Sequence, residues 1–414
     1  MNEYNKDTFC YLPFGSVYVE PTGKLAPCCI ADGFEEGINW KDFENMEDLF
    51  NSAPYKRIRK QLINGEKPSE CSACFIHKNQ HREGSNREFQ RYVKEDTLYN
   101  EDYSVNKVTY VDLRLSNLCN FACRMCFHGL SSTWHDYWGY IQNKPEYKEQ
   151  HPKFLVADKQ GIGKFSQKNI DSITKIYLAG GEPFITPHTF ELIERFTDEQ
   201  ASNVKLLINT NLSTLKYKGI NILDKLKRFK SVQLACSCDG YGDVGKYQRP
   251  GFNPDRFYKN LKELVEYSKK HPHFYVEIDY TISAINVYHT IDFIEYTQQF
   301  ISKDRIRVHA VVQPIYFSTG FFSEERKNKI IKVYSEYSKQ AYGEENFQLA
   351  ASLDIYIQYL KDSFSEENQL DYSKIKSSMT IDIKETIRRF DEVHNTDYRI
   401  ICPWLDEIIN KDTL

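Results

Sequence analysis

No run of about 18 apolar residues occurs in this chain, so it offers no membrane-spanning helix. Its opening residues, MNEYNKDTF, contain no apolar core of the kind a secretory leader needs, and a cytoplasmic protein is expected. Basic excess is also missing: 54 Lys and Arg face 58 Asp and Glu, a formal net charge of −4. Nothing in that balance advertises a nucleic-acid backbone as partner. Cysteine, by contrast, is plentiful, with 11 in 414 residues. In a reducing compartment these are expected as ligands rather than disulfides. With 41% hydrophobic residues, the chain can bury a large core, as two domains or one plus extensions.

Cysteine is densest in Asp112–His128, DLRLSNLCNFACRMCFH, where Cys119, Cys123 and Cys126 are spaced C-x3-C-x2-C. An alternating apolar run, Val108–Leu115, precedes them and predicts a strand that delivers the thiols to a loop. Three thiolates are one short of the four that fill a cubane iron–sulfur cluster, which leaves one iron open for a ligand. A Cys3His zinc site that recruits His128 is the competing reading.

Before this segment, Ser16–Glu20 and Leu25–Pro27 flank Pro21-Thr22-Gly23-Lys24 and predict a hairpin. Helices are expected over Asp42–Asn51 and Tyr55–Ile63, and His77–Asp102 reads as a solvated helix and linker. Cys10, one of Cys28 and Cys29, Cys71 and Cys74 together supply four thiolates, enough to close a second site with either zinc or a cluster.

After it, strands are expected at Val108–Leu115, Lys175–Ala179, Val204–Asn209, Ser231–Ser237, Tyr275–Ser283 and Arg307–Val312, with helices between them. Such alternation predicts parallel strands with crossover helices, curled or doubly wound, and ligands outside the strands' carboxyl ends. Those ends carry Gly180-Gly181-Glu182-Pro183, Asn209-Thr210-Asn211, Ser237-Cys238-Asp239-Gly240, Ser283 with Asn286, and Gln313. The remainder reads as helices over Glu324–Tyr342, Phe347–Leu360 and Ile381–His394, while Cys236 and Cys402 read as packing residues.

The cysteine triad on a first βα loop, followed by GGEP at 180–183, resembles the radical S-adenosylmethionine (SAM) enzymes. The resemblance implies a partial (β/α)6 TIM-like barrel over 108–320. In it Cys119, Cys123 and Cys126 would hold a [4Fe-4S] cluster, with SAM on the fourth iron. One electron then cleaves SAM to methionine and a 5′-deoxyadenosyl radical that abstracts hydrogen from a substrate. Residues that the resemblance assigns to SAM or substrate are Gly180, Gly181, Glu182, Pro183, Asn211, Asp239, Arg249, Ser283 and Asn286. Met125 stands where the family commonly has an aromatic residue beside adenine, and its thioether can pack there.

The first 100 residues resemble the auxiliary-cluster module called SPASM, in its short "twitch" form, through Cys10, the hairpin ending Pro27-Cys28, and Cys71-x2-Cys74. That likeness implies a second [4Fe-4S] cluster on Cys10, Cys28, Cys71 and Cys74, while the helical patterns after 321 make residues 321–414 a helical extension. The partners it implies are a peptide, protein or small-molecule substrate and an electron donor such as flavodoxin or ferredoxin. The alternative is a zinc-binding scaffold or regulatory protein with two structural cysteine sites and no turnover.

Overall fold

In the computed structural model, residues 8–76, 99–157, 165–312, 314–363 and 383–406 are described. The strands are β1 (Ser16–Val19), β2 (Leu25–Ala26), β3 (Tyr110–Leu113), β4 (Lys175–Leu178), β5 (Lys205–Thr210), β6 (Lys216–Tyr217), β7 (Ile220–Asn221), β8 (Ser231–Ser237), β9 (Phe274–Ile282) and β10 (Ile306–Ala310). Eight of them form one sheet in the order β10-β9-β8-β5-β4-β3-β1-β2. The run from β3 to β10 is parallel throughout, as the alternation of strand and helix predicts. β6 and β7 make a separate two-stranded hairpin just ahead of the short helix Ile222–Leu226.

Sequence period separates the two faces of each strand. On β9, Phe274, Val276, Ile278, Tyr280 and Ile282 are all buried in the hydrophobic core. The alternate positions are Tyr275, Glu277, Asp279 and Thr281. Helix Pro254–Lys270 shows the complementary pattern. Asn253 caps it by accepting from Arg256 N (2.9 Å), Pro254 opens it, and Phe257, Leu261 and Leu264 bury one face. The open edge at β10 is covered by helix Phe347–Asp362, whose Ser352 hydroxyl accepts the Val308 N–H at 3.2 Å.

The N-terminal hairpin is not a tethered appendage. β1 pairs antiparallel with β2 and parallel with β3, in the register Ser16↔Tyr110 to Val19↔Leu113, so the barrel sheet continues into it. Fully buried Arg59 clamps helix Ala53–Ile63 against this junction. Its guanidinium donates to the carbonyls of Pro13 (2.7 Å), Phe50 (2.7 Å) and Tyr103 (3.1 Å). The expected linker His77–Asp102 lies outside the described residues up to 98.

Candidate active site

The loop after β3 has no regular structure and is held by side chains instead. Asn117, buried, donates to the carbonyl of His128 (2.8 Å) and accepts from Leu155 N (2.9 Å). Thr133 donates to the Cys119 carbonyl (2.7 Å), Ser131 to that of Phe121 (2.6 Å), and the Trp134 indole to that of Cys123 (3.1 Å). Arg124, between two of the cysteines and fully buried, donates to Tyr247 O (2.7 Å), Asp391 (3.0 Å) and Thr396 (2.7 Å). His128 is unavailable as a zinc ligand: Nδ1 meets the Tyr147 hydroxyl (3.0 Å) and Nε2 the Lys153 carbonyl (3.1 Å). Burial also holds its pKa down.

Cys119, Cys123 and Cys126 line a cavity of about 350 Å³ at the carboxyl ends of the strands. Met125, Gly180, Gly181, Glu182, Asn211 and Arg249 share that lining. Gly180 has φ +110°, and a Cβ on Gly181 would lie 2.1 Å from the Leu118 carbonyl oxygen. The glycine pair therefore lets the cysteine loop itself approach the end of β4, rather than only a ligand. Glu182 is committed to the same junction. One carboxylate oxygen accepts from Phe184 N (2.9 Å) and the Thr210 hydroxyl (2.7 Å), the other from Asn211 N (2.6 Å). Desolvation by burial nevertheless pushes its pKa up to about 7. Pro183 is buried and opens a single helical turn behind it.

Two polar side chains reach the thiols. Asn211 Nδ2 is 3.9 Å from Cys119 Sγ and 2.9 Å from Asn120 Oδ1. Arg249 Nη1 is 3.7 Å from Cys123 Sγ, while its Nε donates to Asp239 at 2.6 Å. Asp239 does not line the cavity; it is fully buried and accepts the Thr281 N–H (2.8 Å), so it positions Arg249. Ser283 and Asn286 are likewise buried behind the wall. Asn286 accepts from Ser283 N (2.7 Å) and donates to Asp239 O (3.0 Å). Ser283 accepts from Gln248 Nε2 (3.1 Å), which also donates to the Met125 sulfur (3.0 Å). Gln313 lies outside the described residues. Sequence reasoning missed Asn117, Arg124, Gln248 and Arg114. Arg114 alone left a local signal, a charge two positions beyond Asp112 in an apolar strand.

In the N-terminal region, Cys28 acts electrostatically on Cys10, Cys71 and Cys74, whereas Cys29 acts on Asp112 and Arg114 at the end of β3. The donor chemistry at both places suits iron–sulfur ligation. Burial pushes Cys119 and Cys28 up to about 12 and raises Cys71, Cys123 and Cys126 as well. A thiolate at such a depth calls for adjacent positive charge, which a metal cluster supplies.

Residues 113–281 match the family model of the Radical SAM superfamily, and residues 10–75 that of SPASM, an iron–sulfur cluster-binding domain. The chain thus carries a radical SAM domain and, ahead of it, a SPASM domain. The radical SAM domain implies a [4Fe-4S] cluster and SAM as cofactors, and the SPASM domain implies further iron–sulfur ligation. No curated protein sequence matches. Among solved structures, anSMEcpe with bound AdoMet is 14% identical, with a TM-score of 0.39, over 57% of this chain and 62% of its own. The chain thus spans less than two thirds of anSMEcpe. Streptococcus suis SuiB bound to S-adenosylmethionine is 14% identical, with a TM-score of 0.35, over 82% of this chain and 69% of its own. SuiB bound to precursor peptide SuiA is 14% identical, with a TM-score of 0.35, over 83% and 71%. Among the described residues, no helix is long and apolar enough to cross a membrane.

Proposed function

We propose that this chain holds one [4Fe-4S] cluster on Cys119, Cys123 and Cys126, binds SAM beside it, and removes hydrogen from a peptide, protein or small-molecule substrate. The observation that carries the reading is the gathering of three thiols, a glycine pair, Asn211 and Arg249 around one cavity. When bound, cluster and SAM supply a 5′-deoxyadenosyl radical. The chain's own part is to orient reactants and exclude water. Gly180, Gly181, Glu182 and Asn211 frame one side, with Pro183 behind them. Arg249, held by Asp239, brings a cation to the thiols, and Met125 is steadied by Gln248, itself bonded to Ser283. Asn286 braces Ser283 and Asp239 from behind.

Residues 1–100 would carry the second cluster on Cys10, Cys28, Cys71 and Cys74, 108–320 the radical chemistry, and 321–414 the covering helices. Electrons would come from a flavodoxin or ferredoxin in the cytoplasm, where thiols stay reduced. Anaerobic reconstitution should give about eight irons per chain, four at each site. Replacing Cys119, Cys123 and Cys126 together by Ala should leave about half of that iron and abolish formation of 5′-deoxyadenosine from SAM and dithionite. A colourless protein with zinc bound tightly at both sites would overturn the reading.

A further inference from the structure

Arg114 is the cation in the cavity wall that the preceding roles leave unused. Its guanidinium packs beside two tyrosine rings, 5.2 Å from the centre of Tyr18 and 5.9 Å from that of Tyr177. Among the described residues it donates no side-chain hydrogen bond. Nε is buried with no hydrogen-bond partner, and its ion pair with Asp112 Oδ1 is a loose one at 3.6 Å. Asp112 is buried as well, between Arg114 and the Cys29 thiol. A guanidinium has five N–H donors in a rigid fork, and buried donors left unmade are rare in folded proteins. The fork's geometry matches a carboxylate, which it binds through two parallel bonds.

The position separates this group from the thiol end of the cavity. There Arg249 and Asn211 already approach Cys123 and Cys119, whereas Arg114 contacts neither cysteine. Its neighbour Tyr177 lies within β4, four residues ahead of Gly181, and so deeper in the barrel. Ala310, Val311 and Val312 form an apolar part of the same wall.

We infer that Arg114, flanked by Tyr18 and Tyr177, is a carboxylate-binding subsite on the cavity floor, and that the substrate presents a carboxylate there with apolar atoms beside it. This rests on the radical SAM reading of the same cavity. The shared chemistry is a carboxylate, which SAM also carries, so the test has two arms on reconstituted protein. In the first, calorimetry compares hexanoate with hexanamide binding to the SAM-loaded enzyme. Wild type should prefer hexanoate by about tenfold or more, as expected for charge-assisted bonds. Arg114→Gln should erase the preference and Arg114→Lys should keep part of it. If Arg114→Gln fails to fold because Asp112 is left unpaired, the neutral pair Asp112→Asn with Arg114→Gln serves in its place. In the second arm, SAM is compared with decarboxylated SAM, and the variants should still distinguish them. Equal binding of hexanoate and hexanamide in wild type, or a preference that survives Arg114→Gln, overturns the subsite. Loss of discrimination between SAM and its decarboxylated form assigns Arg114 to SAM and overturns it too. A protein that forms no 5′-deoxyadenosine at all refutes the underlying reading instead, which makes the two failures distinct.

Discussion

Glu182 shows how burial and hydrogen bonding pull one carboxyl in opposite directions. Three donors favour the ionised form, yet desolvation prevails and the pKa rises to about 7. The unfolded chain holds this group near its ordinary value of 4.5. Between those two values the native state binds more protons, so its stability rises as pH falls from about 7 towards 4.5. SAM-free protein should therefore gain about 1 kcal/mol from this residue between pH 7 and pH 6. Glu182→Gln should lack that slope, whatever its absolute stability. Urea unfolding at a series of pH values checks it, and parallel curves for the two proteins would refute it. The side chain is thus a brace between β4 and β5, and the polar groups free to meet a ligand lie beside it.

The loop that carries the cysteines is an element without secondary structure, and its shape depends on a helix far along the chain. Arg124 reaches Asp391, 267 residues away, and Trp134 packs its ring 5.2 Å from that of Phe390. Helix Ile383–His394 acts here as a latch. Arg124→Met keeps the aliphatic stem against Tyr247 but leaves Asp391 without its buried partner, at an expected cost of about 3 kcal/mol. Iron retention at the barrel site should then fall under mild denaturant while the N-terminal cluster persists. Unchanged iron retention and an unchanged unfolding midpoint would show that the latch is dispensable.

Across the whole molecule, the auxiliary region and the barrel share one sheet. β1 gives up one hydrogen-bonding edge to β2 and the other to β3, so disturbing it disturbs both cysteine sites. Val17→Pro removes a ladder donor from a strand that is paired on both sides. Iron should be lost from both sites in parallel, with a single cooperative unfolding transition. Two separate transitions, with the barrel cluster intact, would mean that the regions are independent. The proposed boundary between residues 100 and 108 therefore marks a division of chemistry more than one of folding.

Features legible before folding are local in origin. Short β-rich runs alternating with helical patterns predicted six parallel strands to within a few residues, Pro-Thr-Gly-Lys predicted the hairpin, and the cysteine spacing with GGEP pointed to the superfamily. Each rests on residues within a dozen positions, where strand pleat, turn chemistry and ligand spacing leave a direct trace. The tertiary structure decided how polar groups are allocated. It commits His128 to Tyr147 and Lys153, Glu182 to the β4–β5 junction, and Asp239 to Arg249. It turns Cys29 toward Asp112 and sets Cys28 near Cys10, Cys71 and Cys74, and it leaves Arg114 in the cavity wall with only a loose ion pair to Asp112. A hydrogen bond occupies a side chain regardless of how distant its partner is in sequence. Only the folded chain shows which of these groups are already taken.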